Sequence, residues 1–228
     1  MDYFFEGLRQ ALRLLVPPSP EVLEILGLSL AVSGSATLLA ALAGAPLALF
    51  LSISEFRGKR VLIGLIQTAL SVPAVLIGMV VYILVSRRGM FGFLGLLFTP
   101  GAMILAQAAL ALPIITALSL AALKGSARDG RDLAYSLGAS RFKMLSTIIR
   151  QGRFAFITAM ITGFSRVIGE TGMTLMVGGN IKGATRVMTT AISLETMKGN
   201  FEVGLALGLV LLVVALLVNA GLQMCQGK

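Results

Sequence analysis

Two clusters of residues in this chain have types and spacing suited to chemistry, and in neither does the pattern suit catalysis. The first is Arg166 and Glu170, a cation and an acid four positions apart inside a long apolar stretch. On a helix that spacing places both on one face, one turn apart. Charges inside a membrane span are costly and face the bundle interior or a water-filled path. Two readings stay open on the residues alone: an ion pair that stabilises the helix, or an Arg166 that borders a pathway and favours a passing anion with Glu170 beside it. Around this pair, Gly169, Gly172, Gly178 and Gly179 suit either close helix approach or a mobile gate. Asn180 and Lys182 follow, either as contacts for an external protein or as a solvated turn.

The second cluster runs from Lys124 to Gln151. Ser126 followed by Asp129 is a capping pair that predicts a helix start. Leu133, Ala134 and Leu137 share one helical face, and Gly138 then interrupts the helix as a C-terminal cap or sharp turn does. Ser140 predicts the start of a second helix through Ile149. The expectation is two short angled helices presenting a small apolar knob on a basic surface. That arrangement suits docking into a groove of another protein; a basic loop resting on lipid headgroups is the other reading.

What is missing narrows the chemistry further. His is absent and Cys225 is the single cysteine, so no Cys/His metal cluster, internal disulfide or Ser-His-Asp dyad is available, and no metal site is expected. No G-x-x-x-x-G-K-[ST] phosphate loop occurs; Lys59 follows Gly58 but precedes Arg60. The chain is therefore not expected to be an enzyme, and energy for any uphill work must come from elsewhere.

The elements that must position these residues are membrane helices. Of 228 residues, 57% are hydrophobic and 13% charged, against about 25% charged in soluble domains; the mean hydropathy is +0.93. Crossing about 30 Å of hydrocarbon takes roughly 20 helical residues. Segments 25–53, 61–85, 100–123 and 201–224 meet this, and 154–177 does so while carrying Arg166 and Glu170. Residues 1–20 combine Asp2, Glu6, Arg9 and Arg13 with Phe5, Leu8, Leu12 and Leu15 at helical spacing, which predicts an interfacial helix ended by Pro17, Pro18 and Pro20. The expected whole, 1–228, is one all-α integral membrane domain of about five spans. Pro73, Pro100 and Pro113 lie in or at the ends of spans, as kinks or as residues the bundle tolerates. The stretch from Thr171 to Asn200 mixes glycines with apolar residues and is expected to be partly re-entrant, with an ordinary outer loop as the plainer reading.

The net charge of +9 arises from cations in short loops, which fits the positive-inside rule rather than nucleic-acid binding. The loop 124–153 holds Lys124, Arg128, Arg131, Arg141, Lys143, Arg150 and Arg153, and the loop after the first span holds Arg57, Lys59 and Arg60. Placing both inside predicts a cytoplasmic C-terminus and an external N-terminus. No internal repeat is evident. That absence disfavours the alternative of a secondary transporter driven by an ion gradient, as does Glu170 being the one plausible intramembrane acid.

The run Asp132-Leu133-Ala134-Tyr135-Ser136-Leu137-Gly138-Ala139-Ser140, with Arg141 next and Ile148 ten residues after the glycine, resembles the signature cytoplasmic loop of ABC importer permeases. Asp132 stands for the Glu of that pattern, Ala134 for its second Ala, Gly138 for its Gly and Ile148 for its Ile. Leu133, Arg150 and Gln151 replace the first Ala, the Leu and the Pro. The resemblance implies a type I importer permease whose coupling helix inserts into a separate ATPase. It further implies ATP and Mg bound by two copies of that partner and none by this chain, a second permease copy, and a periplasmic or lipid-anchored binding protein. The location implied is a prokaryotic inner membrane. The segments Arg166 to Gly172, Met176 to Ile181 and Thr185 to Thr196 resemble permeases for molybdate, tungstate and sulfate, most of all the tungstate branch. On that resemblance the expected cargo is a tetrahedral oxyanion, tungstate before molybdate.

Overall fold

The computed structural model describes residues 9, 19–136 and 140–224, and among the described residues every regular element is helical. The interfacial helix expected over 1–20 lies outside them, apart from Arg9, Ser19 and Pro20. Helix α1 (Pro20–Ile53) starts where the Ser19 hydroxyl accepts from the Val22 amide at 3.3 Å. Pro20 sits in the first turn, where its missing N–H leaves no bond unmade. Helix α4 (Pro100–Ser136) and helix α8 (Phe201–Met224) contain the expected spans 100–123 and 201–224, as α1 contains 25–53. These three are long and apolar enough to cross a membrane.

The span expected over 61–85 is not one straight helix, though its two halves together are long and apolar enough to cross. It is a bent pair, α2 (Lys59–Ala69) and α3 (Ala74–Val85), meeting at 102°. Each half is about 17 Å long at 1.5 Å per residue, too short to cross alone. The cause is local. The amides of Leu70, Ser71 and Val72 bond to carbonyls three residues back, tightening the end of α2, and Pro73 then opens α3 with its carbonyl accepting from Leu76 and Ile77. Pro46 and Pro113 lie inside α1 and α4 without ending them. Proline thus breaks the chain only where the preceding turn has already tightened.

Three further expectations change. Residues 124–136 continue α4 without interruption, so no helix begins at Ser126 and its pairing with Asp129 as a cap is corrected. Glycines at 125 and 130 are tolerated inside a helix already propagating from an apolar span. Helix α5 (Arg141–Ile168) does begin at Ser140, whose hydroxyl accepts from the Lys143 amide at 3.4 Å, but it runs far past Ile149. It ends at Ile168, so the segment expected as one span over 154–177 is divided: Gly169 to Thr171 are non-helical and a short α6 (Gly172–Gly178) follows. Helix α7 (Met188–Met197) precedes α8.

Helix α4 is the axis of the bundle, packed against α1, α2, α3, α5 and α6, whereas α8 touches chiefly α7 and α5. The main core joins Val32 and Ala40 of α1, Ala102, Met103, Ala106, Ala111 and Ile115 of α4, Ala159 and Val167 of α5, and Met173 and Val177 of α6. Small residues let the helix backbones approach closely, as membrane bundles require.

Candidate functional site

One end of the bundle gathers the start of α1, the start of α4, the end of α5, helix α6 and the turn before α7, and polar side chains tie them together. Arg166 Nη1 lies 2.7 Å from Glu170 Oε2, with the Arg side chain 46% exposed and the Glu side chain 14%. The ion-pair reading of these residues is thus realised in the geometry. The Glu170 carbonyl accepts from Thr174 Oγ1 at 2.8 Å and from Thr189 Oγ1 at 3.3 Å, so the break after α5 is fastened to α6 and α7 at one atom. Gln107 of α4 donates from Nε2 to Thr174 Oγ1 at 3.4 Å. Its Oε1 is buried and has no hydrogen-bond partner among the described residues.

The turn between α6 and α7 is built around Thr185, fully buried. Its hydroxyl donates to the Gly178 carbonyl at 2.5 Å and accepts from the Ile181 amide at 3.0 Å. The Met188 amide donates to Ser29 Oγ of α1 at 2.8 Å, and that hydroxyl donates to the Ile25 carbonyl. Within the stretch 171–200, Met173, Thr174, Val177, Thr185 and Met188 are buried against the bundle, while residues 181–184 and 196–200 are exposed.

Asn180 and Lys182 both reach this end and both have partners within the chain. Asn180, at φ 52°, accepts at Oδ1 from Arg186 Nε at 3.3 Å. Lys182 Nζ lies 2.8 Å from Glu21 Oε1 of α1, with Arg186 Nη1 at 4.0 Å from the same oxygen. The hydrogen bond and charge of Lys182 hold the Glu21 carboxyl below the usual carboxylate range. A depressed acid contributes its tie above its ordinary range, and the tie is lost as pH falls through the lowered value.

Of the glycines here, Gly172, Gly178 and Gly179 stand in close contact with neighbours, while Gly169 faces open space. A Cβ at Gly178 would stand 2.8 Å from Met103 Sδ, and one at Gly172 would stand 3.1 Å from Val75 Cγ2. Gly179 has φ +73° and lies against the Phe98 ring, so a side chain there is both strained and crowded.

The other end holds the junction between α4 and α5. Asp132, Leu133 and Ala134 lie on the last turns of α4; Leu137, Gly138 and Ala139 lie outside the described residues; Ser140 caps α5, and Arg141 is its first residue. Ile148 is fully buried against Leu123, with Met144 and Phe156 beside them. A Cβ at Gly152 would stand 2.7 Å from Leu123 Cδ2, so α5 is pressed closely onto α4 below the junction.

Reading the residues did not single out Ser29, Gln107, Thr174 or Glu21. A signal for the first was present: Ser29, Ser33 and Thr37 recur every fourth position in α1, the spacing of one buried helical face. Glu21 gave none, since its partner lies more than a hundred and fifty residues away in the chain.

Comparison with known proteins adds a family. Residues 36–225 match the sequence model of a family described as binding-protein-dependent transport system inner membrane component. The chain is 42% identical over 226 residues to a tungstate uptake system permease protein of Peptoclostridium acidaminophilum, covering 99% of both. It is 42% identical over 219 residues to the permease of the same description in Campylobacter jejuni, covering 96% of this chain and 92% of that one. A molybdenum transport system permease protein of Mycobacterium tuberculosis is 29% identical over 218 residues, covering 91% and 80%.

Proposed function

Because the chain belongs to the family of binding-protein-dependent transport system inner membrane components, we propose that it is the permease subunit of an ATP-driven importer of a tetrahedral oxyanion, tungstate first and molybdate second. The observation that carries this reading is full-length similarity to tungstate uptake permeases, with the molybdenum permeases further away. Nothing in the comparisons favours a gradient-driven transporter.

The remaining parts of the reading rest on the family and on the basic loops of the sequence. An ATPase, bound in two copies and holding ATP and Mg, docks at the junction of α4 and α5 through the sequence from Asp132 to Arg141. A second copy of this chain completes the pathway, as the resemblance to type I importer permeases implies. An external binding protein delivers the oxyanion to the opposite end, where Asn180 and Lys182 lie. The junction faces the cytoplasm, the C-terminus is inside and the N-terminus outside. Helix α4, at 1.5 Å per residue about 55 Å long, connects the junction to Gln107 and the Thr174 hydroxyl without a break. Motion imposed by the ATPase therefore reaches the polar ties as displacement of one stiff element, and α6 with its neighbouring glycines is the segment it moves.

Arg166 keeps a half-exposed guanidinium while paired with Glu170, so a passing dianion meets a cation already largely neutralised. A weak encounter suits a pathway, because the cargo must leave. Selectivity between tungstate and molybdate, of nearly equal size and charge, then rests with the binding protein. The test is accumulation in cells. Deleting this chain should abolish high-affinity uptake of tungstate, and restoring it should recover uptake only when the ATPase is also present. Recovery without the ATPase would overturn the reading.

A further inference from the structure

Between α3 and α4, residues 86–99 form a surface that the transport reading leaves unused. A cavity of about 660 Å³ opens there, lined by Tyr82, Ser86, Arg87, Arg88, Gly95 and Phe98 among others. Its shape is fixed. Phe98 takes a left-handed conformation, φ 60°, which a bulky residue holds only when its surroundings require it. Its amide donates to the Val177 carbonyl at 3.0 Å, its ring lies edge-on to Tyr82 at 6.4 Å, and Gly179 backs it on the other side.

The side chains around this cavity have an unusual mix. Arg87 and Arg88 are exposed, and no described carboxylate lies within ion-pair distance of either. Beside them Phe93 is 83% exposed and Met90 77%, with Phe91 and Leu94 also exposed. The segment ends where the apolar window of α4 begins, so it sits at the boundary between hydrocarbon and water. An apolar rim exposed to that degree is unfavourable in water and favourable in acyl chains. Guanidinium groups at the same depth extend toward the phosphate layer and pair with it in a forked geometry.

We propose that the cavity at Arg87 and Arg88 binds the headgroup of an anionic phospholipid of the outer leaflet, with Met90, Phe91, Phe93 and Leu94 seated among its acyl chains. The two arginines take the phosphate diester, and the Tyr82 and Phe98 rings form the wall behind it. A zwitterionic headgroup carries a cation that opposes the same arginines, so the site discriminates by headgroup charge.

The test uses the whole chain in lipid nanodiscs of phosphatidylglycerol or of phosphatidylcholine, and in neutral detergent with inorganic phosphate. The wild-type protein should melt about 2–4 °C higher in phosphatidylglycerol than in phosphatidylcholine, and phosphate in detergent should reproduce none of that rise. In R87Q/R88Q the rise should vanish while the melting point in phosphatidylcholine stays at the wild-type value. Native mass spectrometry of the wild-type protein with equal amounts of both lipids needs no variant and should show preferential retention of phosphatidylglycerol. Indifference to headgroup in that measurement, a rise that survives R87Q/R88Q, or equal stabilisation by free phosphate would each overturn the proposal. So would a variant that keeps its response to lipid but loses binding-protein affinity, for then the surface docks protein.

Discussion

The membrane-crossing parts of α4 and α8, 24 and 21 residues long, are both strongly apolar and are opposite in placement. Both qualify as membrane spans, yet 61% of the α4 window is buried within the chain and only 22% of the α8 window. The difference lies in which residues make each one apolar. Helix α4 buries Ala102, Ala106, Ala108 and Ala111, and carries Gln107, Thr116 and Ser119 inward among them. Helix α8 presents Leu212, Val213, Leu216 and Leu217 outward. In a bilayer, lipid is as good a neighbour for leucine as protein is, so bulk hydropathy selects the span but not its place. Small residues and buried polar groups select the place, because only a close backbone approach can use the first and only a protein partner can satisfy the second.

That contrast can be broken most severely at Ala106, fully buried where α4 meets its neighbours. Ala106→Leu should overfill the core at a cost of about 1–3 kcal/mol or more, seen as loss of a monodisperse peak in size-exclusion chromatography. A stable, well-behaved variant would mean that α4 is not the packed axis.

The next effect is on coupling rather than stability. Gly138→Val should leave the protein in the membrane, while ATP hydrolysis by the assembled complex ceases to respond to loaded binding protein. Normal stimulation in a correctly assembled complex would contradict the role given to the junction of α4 and α5.

A smaller and opposite effect is expected at Gln107. Its Oε1 is buried without a described partner, and such a group carries a desolvation penalty of about 1–3 kcal/mol. Thr174 still donates to the Glu170 carbonyl if Gln107 is replaced. Gln107→Met, nearly the same shape, should therefore leave the melting point unchanged or raise it. A clear loss of stability would show that Oε1 has a partner in the membrane, water or cargo. The smallest effect belongs to α8: Leu216→Ala, at an exposed position, should shift stability by less than about 0.5 kcal/mol.

The same contrast explains what was legible in the sequence. The spans in α1, α4 and α8 are continuous apolar runs, and the helix start at Ser140 is a local capping signal, so both could be read residue by residue. The break at Pro73 could not. Pro46 and Pro113 look the same in sequence and stay inside helices, and what differs is the tightened turn at residues 70–72. Reading a helix start at Ser126 failed because an existing helix propagates through a cap residue more easily than a new one nucleates. At the polar end Arg166 and Glu170 do pair, but not along one helix: Glu170 lies in the non-helical break after Ile168. The ties from Glu21 to Lys182 and from Ser29 to the Met188 amide join positions far apart in the chain, and no local pattern announces them.

The central claim is that this bundle, driven from the junction of α4 and α5, passes an oxyanion delivered from outside. Its most direct test is a vesicle holding the chain with its ATPase, loaded with ATP on the ATPase side and supplied with cognate binding protein carrying tungstate and then molybdate. ATP-dependent accumulation of both is expected, in the ratio set by the binding protein's own affinities, and none without the binding protein. Accumulation of a cation or an amino acid with no oxyanion uptake would contradict it.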